Sequence, residues 1–306
     1  MGERKEILIL IVIIGSLIIT LPNINPVKAQ ETIIINSDGS IEGTNSIVYN
    51  GFNYTLTGNV SGKIMVQRNF TIIDGAGYTL QGNGDGTGID LSNGRGHDPS
   101  RPEIVNVTIK NMLILNFSYG ILNRNTRNNT IIGNYITNCS TGIDLMGSSN
   151  IIIKNNTIAN NVIGIDLTFV TYVFTVSITE NNMINDLVSS NNGIKTTFTP
   201  SSSYSLPDMN YWSDYNGTDA DGDGIGDIPY ISLINGAETG LIDYHPLMQP
   251  VDVTVIPEFL SFPTPIPDVS PTLKPELFPT TLVIVSVAVI AVVGFGIFTY
   301  LKKRRS

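Results

Sequence analysis

Short Ile- and Val-rich runs alternate with Asn- and Gly-containing turns along much of the chain. Within each run apolar and polar residues take turns, the period-two pattern of a strand with one buried face. The runs are too short, and too often broken by Asn and Gly, to form helices. They also recur. Gly-Ile-Asp-Leu occurs at 88–91, 142–145 and 164–167, with a variant, Gly-Ile-Leu-Asn, at 120–123. The last three copies are evenly spaced, since 142 − 120 = 22 and 164 − 142 = 22. Asn134, Ile136 and Gly142 return 22 residues later as Asn156, Ile158 and Gly164. A fixed period of this size marks a solenoid, in which each repeat stacks on the one before. At about 3.3 Å per residue, one repeat makes three short strands joined by tight corners. The expected fold is all-β, a right-handed parallel β-helix.

Alternation assigns faces. In Gly-Ile-Asp-Leu, Ile143, Leu145, Ile165 and Leu167 point inward, while Asp144 and Asp166 stack one coil apart on an exposed strip. Residues 30–68 read as an N-terminal cap and 69–248 as the helix. Its first regular coil opens at Asn69, with Ile72 and Leu80 inward and Asp74 to Gly77 at a corner. A polar loop, 93–102, carries Arg95, His97, Asp98 and Arg101; residues 169–208 lose the period.

The ends differ in kind. Residues 1–29 read as a signal peptide, with Arg4 and Lys5, an apolar run and a Val-Lys-Ala cleavage site. Residues 249–279 are Pro-rich, which favours an extended stalk. Residues 280–301 are apolar and long enough to span a bilayer, and 302–306 form a basic tail. By the positive-inside rule the chain is a single-pass protein of the cell membrane with its body outside.

One acidic block has metal-site spacing. Asp219, Asp221, Asp223 and Asp227 fall at positions 1, 3, 5 and 9 of a calcium loop over 219–230, with Gly224 at the sharp turn and the Ile225 carbonyl at position 7. Tyr230 stands where the bidentate Glu belongs, so either the affinity is modest or Asp214 or Asp243 completes the shell. Hard carboxylate oxygens suit Ca²⁺.

The block from Asn210 to Tyr230 (Asn-Tyr-Trp-Ser-Asp-Tyr … Ile-Pro-Tyr), with Asp-Tyr-His-Pro-Leu at 243–247 and the Gly-Ile-Asp-Leu coils, resembles the NosD-like family. The resemblance covers about residues 30–248 and implies an exported β-helix, common as a tethered surface protein in archaea. It also implies a function among copper delivery, carbohydrate binding and carbohydrate cleavage. Copper takes His, Met or Cys ligands. Here His97 and His245 are far apart and the methionines form no cluster.

Composition narrows the partners. A net charge of −9 provides no basic patch for nucleic acid. The single cysteine, Cys139, excludes an internal disulfide and reads as a buried thiol. Nine acceptor sequons, at Asn53, Asn59, Asn69, Asn106, Asn116, Asn128, Asn138, Asn155 and Asn216, make glycosylation an expectation for an exported chain. Candidate catalytic groups are Asp144 and Asp166 with Arg124, Arg127 or Lys154 within about a coil, a thin set for a lyase or hydrolase. The leading reading is a non-enzymatic surface module, glycan-binding or adhesive and structural, that presents a long polar Asn/Thr/Ser face to polysaccharide or surface-layer glycans or to neighbouring cells. A carbohydrate-active enzyme comes second and copper delivery third.

Overall fold

The computed structural model describes residues 31–92, 103–167, 176–186, 194–195, 207–234 and 237–253. The expected leader, polar loop and membrane span, most of the stalk, and the basic tail lie outside them. Among the described residues there is no helix, and the strands form a parallel β-helix with three faces.

Each coil contributes one strand to each face. The first sheet stacks Asn53–Leu56, Ile72–Asp74, Thr108–Lys110, Thr130–Ile132, Ile151–Lys154 and Val176–Thr179 in parallel. The second stacks Thr79–Gln81, Leu113–Leu115, Tyr135–Thr137, Thr157–Ala159, Asn182–Ile184 and Tyr211–Trp212. The third stacks Thr87–Asp90, Tyr119–Leu122, Thr141–Asp144, Ile163–Asp166 and Ile194–Lys195. Val60–Val66 pairs with both the second and the third sheet, so stacking begins upstream of Asn69. Glu31–Ile35 lies parallel on it and closes the N-terminal end, while Ile47–Asn50 adds an antiparallel edge to the first sheet.

Three inward columns make the core, one for each sheet. Tyr54, Ile73, Ile109, Ile131, Ile153 and Ile178 follow one another in register, all buried. The second column runs from Leu80 through Ile114, Ile136, Ile158 and Met183 to Trp212. The third runs from Ile33 through Ile64, Ile89, Ile121, Ile143 and Ile165 to Ile194. Each fully buried Ile contributes roughly 1.5–3 kcal/mol. The register corrects one assignment: Ile72 is exposed and Ile73 fills the core.

Corners explain the asparagines. Asn106, Asn128 and Asn150 succeed one another at one corner and Asn116, Asn138, Asn160 and Asn185 at another, all with φ between 51° and 61°. Asn is the non-glycine residue that best tolerates this left-handed conformation. The glycine of Gly-Ile-Asp-Leu has a different cause. A Cβ on Gly120 would lie 2.6 Å from the Gly142 carbonyl oxygen, and one on Gly142 equally close to that of Gly164. The next coil passes too near for any side chain.

Candidate functional site

On the third sheet, Asp90, Leu122, Asp144, Asp166 and Lys195 occupy one register line. The expected exposed strip is only partly that. Asp144 is buried, its side chain 3% exposed. One of its oxygens accepts the Met146 N–H at 3.0 Å, and the other pairs with Arg124 from the preceding coil. Arg124 also lies 5.1 Å over the Tyr119 ring, and its hydrogen bond to Asp144 raises its pKa further. Asp90 likewise accepts the N–H of Ser92 at 2.8 Å. The Asp of Gly-Ile-Asp-Leu therefore holds the next corner with its own side chain, an Asx turn. Asp144 thus meets Arg124 from the coil before it and has half-buried Asp166 as its strand neighbour on the coil after it. The acid at their centre is already paired.

The acidic loop brings Asp219, Asp221 and Asp223 together, with ligand oxygens within 4.8 Å of one another. Asp219 accepts the N–H groups of Gly222 and Gly224 at 2.8 and 3.1 Å, and Asp223 accepts that of Ile225 at 2.8 Å. Left-handed Gly222 and Gly224 make the turns between them. Asp227 is used otherwise: its Oδ2 accepts the Ala220 N–H at 2.8 Å and ties the loop's ends. The donor set is all oxygen and fits a hard cation such as Ca²⁺. Asp243 cannot complete this shell, because it is buried and holds five N–H groups from Met209, Asn210, Trp212 and His245. Asp214 instead accepts the Tyr230 hydroxyl at 3.4 Å.

These contacts explain the Asn210–Tyr230 block. Trp212 ends the second core column, stacks on Tyr230 at 4.2 Å and donates its indole N–H to Asp243 at 3.0 Å. Tyr215 packs edge-on against Tyr230 and donates its hydroxyl to the Ile228 carbonyl. Backbone bonds from Gly226 to Pro246 and from Met248 to Gly224 tie the acidic loop to this closure. His245 is exposed and its Nδ1 meets Asp208 at 2.7 Å, a contact that raises its pKa. His97 lies outside the described residues.

Another cluster escaped the sequence reading. At the N-terminal end, Tyr49, Phe52 and Phe70 are exposed. The Arg68 guanidinium sits 4.9 Å over the Phe52 ring and 5.4 Å over Tyr49, and donates to the Tyr49 and Tyr54 hydroxyls at 2.9 and 2.8 Å. Tyr49 stacks on Tyr54, its cross-strand partner. The signal was Gly51 between two short β-prone runs: left-handed Gly51 together with Phe52 forms the two-residue turn between Asn50 and Asn53, which leaves Phe52 exposed at its tip. Five sequons, at Asn106, Asn116, Asn128, Asn138 and Asn155, occupy left-handed corners, which is reason enough for Asn there. Asn59, Asn128, Asn138 and Asn216 are exposed, whereas the Oδ1 atoms of Asn53 and Asn155 are buried.

A family model described as "Right handed beta helix region" matches residues 31–205, more than half of the chain. No curated protein and no solved structure matches it.

Proposed function

The chain belongs to the right-handed β-helix family, and from that premise we propose that it is a non-enzymatic surface module that binds glycans at its N-terminal end. The observation that carries this reading is the pair of exposed rings, Tyr49 and Phe52, gathered around Arg68. Exposed ring faces take the C–H face of a sugar, and a guanidinium beside them takes hydroxyls or acidic groups; binding sites combine these two chemistries. We assign the chain to the NosD-like branch on its Asn210–Tyr230 block, and its place to the cell membrane. The leader at 1–29 exports it, the Pro-rich 249–279 lifts the body, and 280–301 anchors it. Calcium at Asp219, Asp221, Asp223 and the Ile225 carbonyl, with Asp227 bracing the loop, stabilises the C-terminal closure. Sugar chains on the exposed sequons fit the same exported life.

The test is binding of the purified protein to a polysaccharide panel, beside a Phe52→Ala, Tyr49→Ala variant. Retention by one or more glycans that the variant loses supports the reading. Equal retention of both proteins removes the cluster from it, and no retention on a broad panel removes glycan binding. A carbohydrate-active enzyme is the second reading, favoured by Asp144 and Asp166 as strand neighbours beside Arg124. Release of reducing ends from the same panel is its test.

A further inference from the structure

Two polar columns run inside the solenoid, and each ends on a carboxylate. The longer one passes through Asn134, Asn156, Asn181 and Asn210 to Asp243, whose two oxygens receive five N–H groups. The shorter one passes from the Cys139 N–H through Asn161 to Asp186. Asp186 is also buried, only 3% exposed. Its Oδ1 accepts the backbone N–H and the Nδ2 of Asn161 at 2.8 and 3.0 Å, but its Oδ2 is buried without a partner among the described residues.

The coil before it shows what this position needs. Asn161 holds the same place one coil earlier, and its Nδ2 donates to the Ile136 carbonyl at 3.1 Å. Ile158 succeeds Ile136 in the stack, so the corresponding acceptor is again a carbonyl. Asp186 brings an oxygen where Asn161 brings an N–H. An ionised carboxylate leaves two acceptors facing each other, whereas a protonated one donates. The site also lies at a discontinuity. The third sheet advances 22 residues from Ile143 to Ile165 and then 29 from Ile165 to Ile194.

We propose that Asp186 is a proton-operated latch, which holds its coil against the preceding one when protonated and loosens it when ionised. Burial raises its pKa from 3.8 to about 7, against the opposing pull of the two Asn161 N–H groups. Between these values the closed coil keeps a proton that the opened coil gives up, so closure weakens as pH rises from about 4 to 7. Among the described residues the ionisable groups facing Asp186 are Tyr135 and Cys139. Burial raises both, the Asp186 charge adds to this, and the thiol reaches about 11. Both stay neutral across the range, so neither offsets the charge.

Hydrogen exchange of the full chain at about pH 5 and about pH 8, corrected for the intrinsic pH dependence of exchange, tests this. Opening of segment 176–186 should rise at least about tenfold at the higher pH. Asp186→Asn should abolish the rise, because its amide donates at every pH. The proposal is overturned if the segment opens equally at both pH values, if the rise spreads evenly over coils 108–166, or if Asp186→Asn keeps it. Should that variant not fold, the wild-type comparison still decides.

Discussion

Asn210 gives both its backbone N–H and its side-chain Nδ2 to Oδ2 of Asp243, at 2.9 and 3.2 Å, and so closes a column of asparagines that includes Asn134. The same carboxylate holds the Trp212 indole, so the polar column and the second apolar column end on one residue.

Asp243→Ala should therefore be severe. It leaves five buried or half-buried N–H groups without their acceptor, at about 1–3 kcal/mol for each that water cannot reach. Urea unfolding should show a loss of at least about 3 kcal/mol. An unchanged midpoint would remove Asp243 as the closing residue.

Gly142→Ala adds one methyl where the Gly164 carbonyl passes, and overpacking of that kind costs about 1–3 kcal/mol. Ile143→Asp places an unpaired charge in the third column and should unfold the body. Circular dichroism and protease resistance check both. A folded, resistant Ile143→Asp protein would invert the inward assignment.

Arg124→Ala strands the buried Asp144 carboxylate and should destabilise by about 3 kcal/mol in thermal melts. Asp144→Asn keeps the acceptor for Met146 and should fold. If Asp144→Asn melts like the wild type yet abolishes a polysaccharide cleavage that the wild type performs, the enzyme reading replaces ours.

Asp223→Ala should lower the melting temperature in Ca²⁺ and leave it unchanged in chelator. Identical melting of the wild type with and without Ca²⁺ would dismiss the ion from the loop.

Deleting 280–306 should send the protein into the medium of the producing cells. A truncated chain that stays with the membrane fraction would mean that 1–29 is an uncleaved anchor.

The coil period was legible because three constraints coincide in Gly-Ile-Asp-Leu. Glycine is forced by the neighbouring backbone, Ile by the core, and Asp by the corner it caps. Where two apolar residues adjoin, as Ile72 and Ile73 do, alternation alone does not choose, and the register with Thr108 and Ile109 decides. Burial of Asp144 was illegible because its partner, Arg124, lies 20 residues upstream in another coil. The role of Asp243 was hidden for the same reason, 33 residues from the asparagine it closes. The acidic loop was read from local spacing, and local geometry gathers three of its carboxylates, but Asp227 turned to the backbone of Ala220.

The asparagine column has a direction. Asn134 donates to Asn156, Asn156 to Asn181, Asn181 to Asn210 and Asn210 to Asp243, always toward the C-terminus. A ribosome delivers the residues in that same order. Each asparagine's Nδ2 reaches forward to an oxygen supplied later in the chain while carbonyls of residues already in place hold it from behind. A column built this way can end only on a group that accepts without donating, and the Asp243 carboxylate is that group.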